Sequence, residues 1–130
     1  MERKLLRSIP LFADLNRKDL KLLARHADEV HVESGFELTK EGRNAYEFFV
    51  ILEGTATVHE DGDKVRTMGP NEFFGEIGLL GDHKRTATVT AATSMRLLVM
   101  FGPEFSGIAD QMPEVHDEVR RVLAERLSRA

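Results

Sequence analysis

The sequence predicts an α+β domain, mainly β: a sandwich or barrel-like β-roll with helices before and after it. Two observations point there. Between Glu29 and Phe101, short alternating or apolar runs recur at intervals of about ten residues and break at glycines, the rhythm of such a roll. On both sides of that span the apolar residues recur at spacings near three and four, the period of a helix with one face on a core. A chain of 130 residues suits one domain. At that size about two-thirds of the surface of the unfolded chain is buried, so neither a disulfide nor a metal is needed to hold the fold. The expected organisation is a single domain over residues 1–130, with helices over 1–28, the roll over 29–101 and helices over 102–130.

The elements follow in order. Leu5, Leu6 and Ile9 predict a short helix that stops at Pro10, because a proline ring disfavours helix at the residues before it. Leu15, Leu20, Leu22, Leu23 and Ala27 mark a second helix, with Asn16 as its N-cap and Asp19 in the favourable first turn. From Glu29 the period changes to two. Val30 and Val32, then Phe36-Glu37-Leu38, alternate about a Ser34-Gly35 turn. Glu47-Phe48-Phe49-Val50-Ile51-Leu52 is a nearly continuous apolar strand ending at Glu53-Gly54. Thr55 to His59 and Lys64 to Met68 form two more strands, separated by Asp61-Gly62-Asp63. Thr86 to Ala91 and Met95 to Met100 complete the roll. Gly102-Pro103-Glu104 opens a short helix, with proline tolerated in the first turn. Pro113 starts a longer one whose Val115, Val119, Val122, Leu123 and Leu127 form an apolar stripe opposite Asp117, Glu118, Arg121, Glu125 and Arg129.

Composition narrows the function. The 18 basic and 22 acidic side chains read as interspersed, with a net charge of −4. No basic surplus or stripe of the kind that neutralises a phosphate backbone is evident. The absence of cysteine excludes thiolate catalysis and cysteine-based zinc sites. The five histidines, His26, His31, His59, His83 and His116, are scattered, with no pair at metal-ligand spacing. The longest nearly apolar run, Leu97 to Phe101, is far too short to span a membrane, and no signal peptide is visible. The expectation is a soluble, cytoplasmic protein that holds no metal.

One segment, Asn71 to Arg85, breaks the strand rhythm: it is too glycine-rich for a long helix and too irregular for a strand. Gly75 allows a ligand close to the backbone, and a turn of helix after it would aim its N–H groups at an anion. Taken singly, Arg85 reads as a solvated surface cation and Glu76 as a carboxylate favouring a helix N-terminus. Taken together they suggest more. The planar fork of Arg85 matches two phosphate oxygens, and Thr86 adds a hydroxyl. Ionised Glu76 can only accept, so it suits a ligand hydroxyl. An anion site beside a hydroxyl-accepting carboxylate describes a sugar phosphate with a free hydroxyl.

Phe74-Gly75-Glu76-Ile77-Gly78-Leu79-Leu80, followed after four residues by Arg85-Thr86-Ala87-Thr88-Val89, resembles the phosphate-binding cassette of the cyclic nucleotide-binding domain family. That family includes the catabolite activator protein, kinase regulatory subunits and cyclic nucleotide-gated channels. The turns at Gly35, Gly42, Leu52-Glu53-Gly54 and Gly69 also fall where the family's roll turns, so the similarity covers essentially the whole chain. The resemblance implies a jelly-roll-like double-stranded β-helix with a cassette over 73–87 and a C-terminal helical lid. It implies that Glu76 accepts from the ribose 2′-hydroxyl, Arg85 pairs with the cyclic phosphate, Thr86 supports it, and the backbone at Gly75 and Ala87 approaches the nucleotide. Phe74, Ile77, Gly78 and Leu79 complete the ligand-binding set. The last helix would cap the base, with Val119, Arg120 and Leu123 as candidates. The implied ligand is cAMP, with cGMP the alternative, and the implied partner is an effector that reads the C-terminal helix.

Other functions lack their residues. No nucleophile–base pair or paired acids stand near the cassette, so a binding sensor is expected and not an enzyme. A cupin-type metalloenzyme needs clustered histidines, and there is no His-x-His. A transcription regulator needs a helix-turn-helix after the long helix, which the sequence does not reach before Ala130, so no direct DNA binding is expected. A module of the same fold that binds no nucleotide is the remaining alternative; the presence of both Glu76 and Arg85 argues against it.

Overall fold

The computed structural model describes residues 2–44, 46–75 and 84–128, apart from the side chains of residues 123, 127 and 128. Helix α1 (Arg3–Arg7), a 3-10 turn (Pro10–Phe12) and α2 (Arg17–His26) lead into eight strands. These are β1 (Ala27–Val32), β2 (Glu37–Thr39), β3 (Glu47–Glu53), β4 (Ala56–Glu60), β5 (Asp63–Met68), β6 (Phe73–Phe74), β7 (Thr88–Ala91) and β8 (Met95–Phe101). Helices α3 (Gly102–Ala109) and α4 (Pro113–Ser128) follow. The strands form two four-stranded sheets, ordered β1-β8-β3-β6 and β2-β7-β4-β5, and every pairing is antiparallel.

Two cores explain the patterning. Phe49, Ile51, Val58, Met68, Phe74, Val89 and Leu97 pack between the sheets. Phe48, Val50, Leu98 and Met100 point the other way, onto Leu6, Phe12, Leu20 and Leu23 from the N-terminal helices and Phe105, Met112, Val115 and Val119 from the C-terminal ones. β3 and β8 are therefore covered on both faces, which is why β3 reads as a continuous apolar run and not an alternating one. The rings of Phe48 and Phe105 stack at 3.9 Å between centroids, joining α3 to the sheet. At the other end, Asn16 caps α2 through a bond from the Asp19 N–H at 2.8 Å.

The structure corrects three expectations. Strand β1 begins at Ala27, inside the span read as helical to residue 28, because α2 passes straight into the sheet. β7 begins at Thr88 and not Thr86, which leaves Arg85, Thr86 and Ala87 as the approach to the strand. Phe73 and Phe74, read as irregular, form β6 by pairing with Val50 and Phe49. The charges are also less mixed than they read: Arg3, Lys4, Arg7, Arg17, Lys18, Lys21 and Arg25 are all exposed on the N-terminal helices, while the excess of acid lies beyond them.

Candidate ligand pocket

The pocket is built where β6 ends and the approach to β7 begins. Gly75 has φ of +97°, a conformation that L side chains rarely adopt. A Cβ there would stand 2.7 Å from the Glu47 carbonyl oxygen and 2.9 Å from Arg85 Nη1, so the position requires glycine on two counts. The same close approach lets three segments meet: the start of β3, the end of β6 and the residues before β7.

Arg85 occupies that meeting point and is only 6% exposed. Its Nη2 donates to the Glu47 carbonyl oxygen at 2.8 Å and to Glu47 Oε2 at 3.2 Å. Nη1 donates to the Gly75 carbonyl oxygen at 3.3 Å. The main chain of Arg85 is pinned too, its N–H donating to Arg43 and its carbonyl accepting from Gly42. A buried cation needs partners of this kind, since leaving a guanidinium dry and unpaired costs several kcal/mol, order of magnitude. Arg85 is thus no solvated surface cation.

Around it opens a small pocket. Phe74, Val58 and Val89 supply apolar wall, and Arg66 and Arg126 add two further guanidinium groups. Gly75, Thr86 and Ala87 also line it. Thr86 is exposed at the rim, whereas the hydroxyl of Thr39 donates to the Ala87 carbonyl oxygen at 3.0 Å. An apolar body with three cations around it suits an anion carrying a flat or hydrophobic group. Among the described residues no group of His, Asp or Glu side chains is arranged to hold a metal.

Of the residues singled out in the sequence, Phe74, Gly75, Arg85, Thr86 and Ala87 come together here. Glu76, Ile77, Gly78 and Leu79 lie outside the described residues. The candidates on the C-terminal helix stand in different surroundings. Val119 is buried in the helix-side core, and Arg120 is exposed with its Nε donating to His116 at 3.2 Å. The side chain of Leu123 is outside the described set. Among the described side chains of α4, Arg126 lines the pocket, and its Nη2 donates to the Phe73 carbonyl oxygen at 2.7 Å. A signal for it existed. Val115, Val119, Val122 and Arg126 follow one stripe at spacings of four, three and four, so Arg126 is the cation on the apolar face. Glu47 was also missed. Its signal is period two: it shares the strand face of Phe49 and Ile51 at the start of β3, and it is the carboxylate among them.

Two packed antiparallel sheets flanked by helices, with a buried arginine lining a pocket of the roll, define a β-roll domain. Residues 29–112 match the family model described as Cyclic nucleotide-binding domain, and the chain belongs to that family. A cyclic nucleotide-gated potassium channel of Rhizobium etli is 31% identical over 123 residues, which is 95% of this chain and 34% of the channel. The chain thus spans about a third of the length of the curated relatives it matches. Among solved structures, a Geobacter metallireducens protein described as cyclic nucleotide-binding superposes with a TM-score of 0.85 at 21% identity, covering 98% of both chains. The regulatory domain of Toxoplasma gondii protein kinase A, solved with cAMP, gives 0.71 at 29% identity over 82% of this chain and 42% of that one. The family is one of regulatory binding domains and not catalytic ones. No helix among the described residues is long and apolar enough to cross a membrane.

Proposed function

We propose that this domain is a cAMP sensor, with cGMP a weaker ligand, and that the nucleotide favours a state in which α4 closes over the roll. The observation that carries the reading is the buried Arg85 guanidinium at the base of the pocket, beside the left-handed Gly75. Arg85 takes the cyclic phosphate, since a charge-assisted pair in a dry site contributes about 1.5–3 kcal/mol per bond. Glu76 accepts from the ribose 2′-hydroxyl. Phe74, Ile77, Gly78 and Leu79 belong to the ligand-binding set, and the backbone at Gly75 and Ala87 approaches the sugar phosphate. Thr86 at the rim donates to the phosphate and meets the guanine amino group of cGMP. Arg126 takes the base-facing role on α4, because among the described side chains of that helix it lines the pocket.

The role is sensing within a single domain over residues 1–130. A micromolar ligand provides about 8 kcal/mol of binding free energy in total. Only the part that differs between open and closed states can move α4, and an effector that reads this helix receives that part. The test is isothermal titration of the chain with cAMP and with cGMP. Saturable binding of cAMP, tighter than of cGMP, supports the reading. No heat with either nucleotide overturns it and leaves a same-fold interaction module.

A further inference from the structure

Arg85 has a resident counter-anion before any ligand arrives. Glu47 contributes its carboxylate to the guanidinium at 3.2 Å, yet Glu47 does not line the pocket. Its side chain is 44% exposed and lines an outer groove on the other side of Arg85, together with Lys40, Arg43 and Tyr46. The guanidinium therefore stands between two spaces, with the pocket on one side and the Glu47 carboxylate on the other.

The arginine does not need that carboxylate to be aimed. The main-chain carbonyl oxygens of Glu47 and Gly75 accept from Nη2 and Nη1 whatever side chain stands at position 47. Burial and the fixed main chain of Arg85 supply the rest. What the carboxylate adds is charge. An anion entering the pocket meets a cation already paired, and a second negative group lies across the same guanidinium.

We infer that Glu47 is an affinity-setting residue: its carboxylate competes with the anionic part of the ligand for the charge of Arg85 and holds affinity below the value the pocket could reach. This rests on the nucleotide-binding reading and deepens it by naming the residue that tempers binding. It has an opposite sign to a positioning role. A residue that merely oriented Arg85 would weaken binding when neutralised, whereas a competing anion strengthens it.

The experiment is titration of the full chain and of Glu47→Gln with cAMP and with adenosine, which carries no phosphate. Glutamine keeps the size of the side chain and a hydrogen-bond acceptor but no charge. The expected result is cAMP binding tightened about threefold to tenfold in Glu47→Gln, the range open to a partly screened charge pair. Adenosine binding stays unchanged, and the gap for cAMP narrows as salt is raised. Weaker cAMP binding by the variant, an unchanged value, or equal tightening for adenosine overturns the inference. If the wild type binds neither cAMP nor cGMP, the nucleotide reading fails by itself. The same wild-type and variant pair titrated with inorganic phosphate then decides the role of Glu47, tighter binding by the variant supporting it and equal or weaker binding overturning it.

Discussion

Arg126 and Phe73 tie the last helix to the wall of the pocket. The guanidinium of Arg126 donates to the Phe73 carbonyl oxygen at 2.7 Å and lies 5.6 Å from the centre of the Phe73 ring. Phe73 is followed directly by Phe74 and Gly75, which line the pocket. One side chain of α4 thus touches the strand from which the binding segment departs. Any ligand that engages Arg126 acts on the helix and on the roll at once, a local contact with the reach to bias a packing equilibrium.

The first prediction follows from that contact. Arg126→Ala should weaken cAMP binding about threefold to thirtyfold, the loss expected for one partly desolvated cation–π or charge-assisted contact. Arg120→Ala should leave affinity within about twofold, because Arg120 is exposed and bonded to His116 along its own helix. Calorimetric titration of both variants checks the ranking. The reverse order would return the base-facing role to Arg120.

Gly75 allows a paired test of the turn. Gly75→Ala combines a left-handed φ of +97° with a Cβ at 2.7 Å from the carbonyl oxygen of Glu47. It should cost about 1–3 kcal/mol of stability and weaken nucleotide binding at the same time, since the displaced backbone is one of the supports of Arg85. Gly107→Ala is the control. Gly107 lies in α3, is exposed, and leaves open space, with no neighbouring atom within 4 Å, where the methyl group of an alanine would stand. There alanine should stabilise by about 0.5–1 kcal/mol through helix propensity alone. Chemical denaturation of the two variants should move in opposite directions.

These positions also mark what the sequence made legible. The strand rhythm was visible because glycine and proline punctuate it locally, and the helices because their stripes repeat over enough turns. β6 was not, since two phenylalanines become a strand only by pairing with Phe49 and Val50 more than twenty residues away in the chain. The resemblance to the family cassette is legible in the sequence, whereas the burial of Arg85 is not: it depends on Glu47, which lies 38 positions earlier. Val119 lies on the apolar stripe of its helix, and its side chain packs into the larger apolar surface of the helix-side core. Arg126, one turn of the stripe beyond Val122, is long enough to leave that core and reach Phe73.

Thr86→Ala tests discrimination between the two nucleotides. Its hydroxyl stands at the exposed rim, while that of Thr39 is spent on the Ala87 carbonyl oxygen. On the proposed role of Thr86, Thr86→Ala should lower cGMP affinity more than cAMP affinity, because guanine carries a 2-amino group that adenine lacks, in addition to the shared phosphate. Competition titrations with both nucleotides measure the ratio. Equal losses would confine the hydroxyl to the phosphate.

Arg85 separates charge from shape. Arg85→Ala should weaken either nucleotide at least about tenfold, the loss of one charge-assisted phosphate contact. Arg85→Lys keeps the charge but loses the fork that now reaches the Glu47 carbonyl, the Glu47 carboxylate and the Gly75 carbonyl from two nitrogens. A lysine ammonium is a compact point charge on a flexible stem and cannot span those three acceptors while presenting an edge to a phosphate. The lysine variant should therefore recover little of the lost affinity. The fold should survive both changes, because the carboxylate left behind at Glu47 is nearly half exposed and can be hydrated. Binding by calorimetry and melting by circular dichroism, measured on the same samples, distinguish the cases. Full recovery of affinity by lysine would mean that the pocket reads only the charge at position 85 and that its forked geometry is incidental.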